Sequence, residues 1–152
     1  MSSIVDILQE VAALCATIDS SPQLWSSYDA LKIDLLESQI RSGRFMWVID
    51  GGQEVFDPDW SKDVATYRCP ISVYFVGPDK LMTVNNQSYV AERLEALRDA
   101  IRAGTFTCFQ QIEPGYINTA VNGEVMSALL GRELANLGGG VLHYEPGVLY
   151  VH

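Results

Sequence analysis

The sequence predicts an α+β fold, in which a mainly antiparallel sheet is covered by helices in a two-layer sandwich. Two segments, 4–18 and 88–103, repeat apolar residues at the three- and four-residue steps of amphipathic helices. Other short apolar runs alternate with the period of two that is typical of strands. The 152 residues fit a single domain, 1–152, with a polar loop excursion near 50–66.

The first helix is predicted over Ile4–Ile18. Its apolar stripe is formed by Ile4, Leu8, Val11, Cys15 and Ile18. The next segment, 23–43, fits two structures: Leu31, Ile33 and Leu35 alternate like a strand, whereas Leu31, Leu35 and Gln39 follow one face of a helix. Both interpretations stay open at this point.

The central strands are predicted from two apolar runs. Phe45–Ile49 is followed by a Gly pair and reads as a strand that enters a turn. The run 64–76 also alternates, but Pro70 interrupts it, which indicates an edge strand, a bulge or two strand pieces. Residues 77–80, Gly-Pro-Asp-Lys, are predicted to form a turn.

The second long helix is predicted over 88–103, and Gly104 suits the position just after its end. Its buried stripe is formed by Val90, Leu94, Leu97 and Ile101. The opposite face mixes acids with Arg93, Arg98 and Arg102, and Glu95 and Arg98 are spaced as an i,i+3 pair. This face is therefore interpreted as a solvated surface.

The last third of the chain predicts a strand, a short helix and a final strand. The first strand covers 105–112, and 113–115 form a turn. Asn122 then caps a short helix that ends at 138–140, a run of three glycines. The final apolar run Val141–Val151 is a strand or a hairpin that turns at 145–148. We expect it to pair within its own sheet rather than with a neighbouring subunit.

The charge and the cysteines exclude several classes of protein. The net charge is −9, from 19 acids against 10 Lys and Arg, and no cationic cluster suits a nucleic-acid clamp. The three cysteines are widely spaced, which favours buried thiols in a reducing compartment. The N-terminal residues lack the basic region of a signal peptide, and no apolar run is long enough to span a membrane, so a cytosol-like compartment is expected.

Few residues suggest catalysis or metal binding. His143 lies inside a predicted strand, and a single strand histidine is usually a packing or surface residue. Asp57, Asp59 and Asp63 begin like a calcium loop, but Lys62 and Arg68 stand where an EF-hand needs Gly and Glu. We therefore predict no enzyme, no cofactor and no metal site.

The polar stretch 53–63 carries two aromatic residues that follow no periodic pattern. Aromatic side chains in such loops are common at protein interfaces, although many pack back onto their own domain. Both interpretations remain open. The residues predicted to contact a partner are Phe56, Asp57, Asp59 and Trp60.

The order of elements resembles the tail-completion or tail-terminator proteins of long-tailed phages. The resemblance rests on the N-terminal helix Ile4–Ile18, the strands Phe45–Ile49 and Tyr67–Val76, the covering helix Val90–Ala103 and the strand Thr105–Ile112. An Asn-led short helix and a terminal Gly-Val-Leu-x-Tyr strand complete it.

The resemblance implies a virion structural protein, located in the tail or neck and assembled in the host cytoplasm. Such proteins form a ring, often six-fold, that ends the tail tube and joins it to the head connector. The resemblance implies three partners: further copies of the chain, the tail-tube protein and the connector protein. It implies no contact with a membrane, and DNA would pass through the lumen of the ring without specific binding. The alternative is an α+β module that binds a small or regulatory ligand, and a carboxylate enzyme built around Asp57–Asp63 is a third hypothesis.

Overall fold

The computed structural model describes residues 4–25, 33–51, 55–56, 65–68, 70–78, 84–103, 112–130, 137–146 and 149–151. Within these ranges the helices are α1 (Ile4–Ile18), α2 (Ile33–Arg41), α3 (Val84–Ala103) and α4 (Gly123–Leu130). The strands are β1 (Gln23–Trp25), β2 (Met46–Asp50), β3 (Val55–Phe56), β4 (Ala65–Arg68), β5 (Ile71–Pro78), β6 (Ile112–Asn122), β7 (Leu137–Pro146) and β8 (Leu149–Val151).

The described strands form two sheets. The larger has the order β1-β2-β5-β7-β6, and all of its pairs are antiparallel except β1 with β2. The smaller has the order β3-β4-β8 and is antiparallel. The predicted α+β class with a mainly antiparallel sheet is therefore confirmed.

The main hydrophobic core lies between one face of the larger sheet and the helices α1 and α3. Strand alternation places Trp47, Val73 and Phe75 on this face, and all three are buried. The indole of Trp47 meets the ring of Phe75 edge to face, with ring centroids 4.5 Å apart. The helices contribute Ile7, Leu8, Val11, Ala12 and Cys15 from α1, and Val90, Leu94, Leu97 and Ile101 from α3. The predicted stripes of both helices are thus their buried faces.

The other face of the larger sheet is partly covered by α2 and α4. Leu36 of α2 and Met126 of α4 pack with Met46, Val48 and Val76 in a second cluster, and all five side chains are buried. The predicted two layers are present, and these two shorter helices add a partial third layer. Further along this face, Ser72, Tyr74 and His143 are half-buried and Tyr116 is 59% exposed.

The carboxylate of Asp19, just after α1, collects hydrogen bonds from several elements. Its Oδ2 accepts from the hydroxyl of Tyr89 at 2.5 Å and from Nε of Arg93 at 3.1 Å, both on α3. Its Oδ1 accepts from the backbone N–H of Ser21 at 2.9 Å and from the Ser21 hydroxyl. The carbonyl oxygen of Asp19 accepts from the indole N–H of Trp47 on β2 at 3.1 Å. One residue therefore connects α1, α3 and the sheet.

The protonation of Asp19 depends on the same contacts. Burial raises the pKa of Asp19, but the hydrogen bonds from Ser21, Tyr89 and Arg93 outweigh it, so the pKa lies below its ordinary value of 3.8. The side chain of Arg93 also lies over the Tyr89 ring, with its guanidinium carbon 4.2 Å from the ring centroid. The ionised carboxylate is thus the form that this cluster stabilises.

The glycines 138–140 do not end a helix, as the sequence predicted, but lie in β7. A Cβ built on Gly140 would lie 2.7 Å from Cδ1 of Leu94 and 2.9 Å from Cγ1 of Val90, because α3 approaches the sheet closely there. A Cβ on Gly139 would lie 2.2 Å from the carbonyl oxygen of Phe75. Close packing, and not helix termination, explains these two glycines.

Several predicted boundaries were wrong, each for a local reason. Of the two structures proposed for 23–43, the helix is the one found: Ile33 and Leu35 lie in α2, while Leu31 lies outside the described residues and the short strand β1 lies earlier, at Gln23–Trp25. The predicted turn at 77–80 begins too early because β5 continues to Pro78. The predicted turn at 113–115 lies inside β6, where a register shift between Glu113 and Tyr116 accommodates the Pro-Gly step. Helix α3 begins at Val84 instead of 88.

Other predictions were confirmed. Helix α1 covers Ile4–Ile18, and the run around Pro70 is divided into the strands β4 and β5. The C-terminal strand pairs within its own chain: β7 lies between β5 and β6, and β8 pairs with β4. The final run is therefore not a hairpin, because β7 and β8 belong to different sheets.

We predict that Asp19→Asn lowers the free energy of unfolding by about 1–3 kcal/mol at pH 7, because the charged acceptor of the α3 donors is lost. The pKa of Asp19 is lower in the folded protein than in the unfolded chain, so the ionised carboxylate stabilises the folded state at any pH above the unfolded-state pKa. This stabilisation is lost as the pH falls through the folded-state pKa. The difference between wild type and variant should therefore be constant above about pH 5 and shrink below pH 3.8. Urea unfolding at several pH values measures it.

The matched control for this prediction is Asp99→Asn. Asp99 pairs with Arg98 at 3.1 Å, but its side chain is 66% exposed. An exposed ion pair contributes about 1 kcal/mol or less, so this variant should stay close to wild type at every pH. A pH-independent loss in Asp19→Asn would contradict the role given to the ionised carboxylate.

We predict that Gly139→Ala destabilises the protein by at least about 2 kcal/mol, because the added methyl group meets backbone atoms of Phe75 and Val76 that cannot rotate away. Gly51→Ala is the matched control: its methyl group meets mainly Cδ2 of Leu8, at 2.7 Å, and this side-chain terminus can move. Thermal and urea unfolding should therefore rank Gly139→Ala below Gly51→Ala. Equal losses would contradict the packing explanation.

Candidate functional site at the β6 edge of the sheet

Four polar or aromatic side chains occupy matching register positions across the larger sheet. Asp50 of β2 pairs with Ser72 of β5, Ser72 pairs with His143 of β7, and His143 pairs with Tyr116 of β6. Because alternate residues share a sheet face, these four lie on the side that α2 and α4 partly cover. We call them the polar row.

The members of the polar row contact one another across the strands. The hydroxyl of Ser72 lies 2.8 Å from Nδ1 of His143, within hydrogen-bond distance. The ring of Tyr116 stacks on the imidazole, with centroids 5.1 Å apart and planes inclined by 27°. Tyr116 is nevertheless 59% exposed. The polar row thus ends in an exposed aromatic ring at the edge of the described sheet.

Tyr74 lies two residues from Ser72 along β5, on the same face as the polar row. Burial raises the pKa of Tyr74, and the negative charge of Asp50 and the neighbouring Tyr116 raise it further. The phenol therefore stays protonated at neutral pH. Along β5, Tyr74 lies between Ser72 of the polar row and Val76 of the buried cluster, against which it packs.

The polar row differs from a catalytic triad in its order. In a triad the base lies between the nucleophile and an acid that orients it. Here Ser72 lies between Asp50 and His143, so the carboxylate is two strand spacings, about 9–10 Å, from the imidazole in the backbone register. The arrangement suits recognition by hydrogen bonding and stacking more than activation of Ser72.

A cavity of about 150 Å³ opens beside the same edge strand. We call it the arginine cavity, and it is lined by Arg98, Arg102, Gly115, Tyr116, Ile117 and Leu142. The two arginines lie one turn apart near the end of α3, and Ile117 and Leu142 belong to the side of the sheet that α3 covers. The arginine cavity therefore combines two positively charged guanidinium groups on one wall with apolar side chains on another.

A second cavity, of about 290 Å³, lies near the start of β2 and is lined by Gln39, Arg44, Phe45, Tyr89 and the segment 20–22. It is wider and more open than the arginine cavity. Tyr89 already donates to Asp19 there. We therefore assign this cavity to the structural cluster around Asp19.

The described part of the chain supplies little chemistry for metals or thiols. Among its residues, no group of three or more His, Cys, Asp or Glu converges as a metal site would require. Burial raises the pKa of the Cys15 thiol to about 12, so Cys15 stays protonated inside the core. No helix within the described ranges is both long and apolar enough to cross a lipid bilayer.

The residues predicted to form a partner interface are only partly described. Phe56 belongs to β3, where the sequence predicted a loop, and its backbone pairs with Tyr67 of β4. Asp57, Asp59 and Trp60 lie outside the described residues, as does Asp63. The interface therefore stays a prediction.

Sequence reasoning missed the residues that the β6 edge brings together. His143 was interpreted as an ordinary strand residue, and Arg98 and Arg102 as part of a solvated helix face. Tyr116 follows a Pro-Gly step that was read as a turn. The period of two around His143 was a usable signal, but only the strand register shows that Ser72 and Tyr116 flank it.

Comparisons of this chain with protein-family models, with curated proteins and with solved structures found no match.

We predict that Asp50→Asn lowers the pKa of Tyr74 toward its ordinary value of 10.0, because one of the charges that disfavour the phenolate is removed while burial remains. Ultraviolet or NMR titration of tyrosines measures this shift, with Tyr74→Phe to assign the signal. Asp34→Asn, on the exposed side of α2, is the matched control and should leave Tyr74 unchanged. An unchanged Tyr74 titration in Asp50→Asn would contradict the electrostatic coupling.

Proposed function

We propose that this chain is a virion structural protein that forms a ring at the head-proximal end of a phage tail, where it terminates the tail tube and joins it to the head connector. The observation that carries the proposal is the β6 edge, which presents the 59% exposed ring of Tyr116 between the polar row and the arginine cavity. Tyr and Arg are enriched at the centres of protein interfaces, and both are present here.

The position of this surface suits assembly into a ring. Strand β6 lies at one end of the described five-stranded sheet and β1 at the other. A ring subunit needs two different surfaces, one for each neighbour, because a head-to-tail contact repeats around the axis. A sheet with separate edges offers such surfaces. The element order that resembles phage tail-terminator proteins supports the same proposal.

The charge of the chain supports the part of the proposal that concerns DNA. The net charge of −9 repels phosphate groups, so a ring of such subunits lets DNA pass without adhesion. The partners in this proposal are further copies of the chain, the tail-tube protein and the connector protein. The proposed location is the tail or neck of the virion, after assembly in the host cytoplasm.

The second candidate function is a module that binds a small anionic or regulatory ligand. The arginine cavity favours it, because two guanidinium groups above an apolar floor can hold a carboxylate or a phosphate. A thermal-shift screen with small carboxylates and inorganic phosphate distinguishes the two functions. A saturable rise in melting temperature without assembly would favour the binding module.

We predict that the full-length protein assembles into rings, alone or on the tail tube, as seen by light scattering after size exclusion and by negative-stain microscopy. Tyr116→Ala should weaken assembly about tenfold or more, because interface aromatics of this kind contribute about 2 kcal/mol. Its melting temperature should change little, since the Tyr116 side chain is 59% exposed.

Val5→Ala is the control for this test, because Val5 is an exposed apolar residue on α1, away from β6. It should assemble like wild type. If the wild-type protein stays monomeric both alone and with its tube partner, the proposed function is wrong.

A further inference from the structure

The arginine cavity contains two cations that are free to change partners. Arg98 pairs with Asp99 at 3.1 Å, but the two side chains are 33% and 66% exposed, and such a surface pair is weak. Within the described residues, Arg102 forms no salt bridge. Arg93, five residues before Arg98 on the same helix, differs because Asp19 holds it in a partly buried pair.

The lining of the arginine cavity defines the chemistry of its occupant. Guanidinium groups bind carboxylates through paired N–H donors, and also stack on aromatic rings. The other walls are the apolar side chains of Ile117 and Leu142 and the residue Tyr116. A segment that carries both carboxylates and aromatic rings is therefore complementary to the cavity in charge and in polarity.

One segment of this chain has that composition. Residues 56–60 read Phe-Asp-Pro-Asp-Trp, with two carboxylates two positions apart and an aromatic residue on each side. We propose that the arginine cavity receives this segment from a second copy of the chain, with Asp57 and Asp59 bound by Arg98 and Arg102. This inference rests on the proposed function, since it names the contact between ring subunits.

The proposed contact has the asymmetry that a closed ring requires. The cavity and the acidic segment are different surfaces of one chain, so each subunit uses its cavity toward one neighbour and its segment toward the other. The contact also places two of the ten basic residues of a chain with 19 acids where they reduce repulsion between subunits. Added salt should therefore weaken assembly.

Charge reversal on each side tests the contact. The cavity variant carries Arg98→Glu with Arg102→Glu, and the segment variant carries Asp57→Arg with Asp59→Arg. We expect each variant alone to raise the dissociation constant of self-assembly by about tenfold or more, because like charges then meet at every contact. An equimolar mixture should assemble within about threefold of wild type, because every cavity in an alternating ring then faces a segment of opposite charge.

Two controls separate this contact from folding and from general charge effects. Arg41→Glu with Arg44→Glu changes the net charge by the same amount as the cavity variant does, at exposed positions near the end of α2, and should assemble like wild type. Circular dichroism and thermal melting of all variants establish that they are folded. Arg98→Lys with Arg102→Lys keeps the charge but loses the paired N–H donors. Its dissociation constant of self-assembly should therefore lie between those of wild type and the cavity variant.

A labelled peptide of residues 53–63 gives a readout that does not need a ring. Fluorescence anisotropy should show that it binds the wild-type protein and binds the cavity variant about tenfold or more weakly. If wild type assembles, and neither reversal affects assembly, this inference is wrong while the proposed function stands. If wild type stays monomeric but binds the peptide through the cavity, the recognition is supported and the ring is not.

The mixing experiment also distinguishes a second copy from the same chain. If the segment occupied the cavity of its own subunit, a chain carrying all four substitutions would regain wild-type behaviour, but the mixture of the two variants would not. That result would overturn the inference. Restoration in the mixture as well as in the four-fold variant would support it.

Discussion

The carboxylate of Asp19 is the interaction on which the arrangement of the core most depends. It joins the end of α1 to Tyr89 and Arg93 of α3, while the carbonyl group of the same residue holds the indole of Trp47. A charged acceptor with several donors is stronger than a neutral one, and Asp19 is only 12% exposed. Because Arg98 and Arg102 lie further along α3, the contact that sets the position of this helix also sets the position of the arginine cavity.

The second constraint is the close approach of α3 to β7. Gly140 leaves no room for a methyl group beneath Leu94 and Val90, so the helix lies directly on the backbone of the strand. Three residues further along the same strand, His143 belongs to the opposite face and to the polar row. Strand β7 therefore serves both sides of the sheet: Gly140 lies against α3, and His143 connects Ser72 with the exposed Tyr116 at the β6 edge.

The long helices were the most predictable part of the fold, and the turns the least. The stripes of α1 and α3 were identified because the apolar residues that drive packing repeat at helical spacing, and their described members are buried except Ile18, which is half-buried at the end of α1. Gly140 and the Pro-Gly step at 114–115 were wrongly predicted as local breaks because these residues favour turns and helix ends. In the structure, pairing with β7 and close contact with α3 outweigh that local preference. The candidate site was not predicted at all, since its members come from five separate elements.

The sequence by itself determined the α+β class, the two amphipathic helices and the break at Pro70. These features follow from short-range periodicity and from the chemistry of individual residues, which any unfolded segment already carries. Only the tertiary structure decided that Asp50, Ser72, His143 and Tyr116 form one row, and that Arg98 and Arg102 share a cavity with Tyr116. The physical reason is strand register: it depends on the packing of the whole sheet, and a shift of one residue would place each of these side chains on the other face.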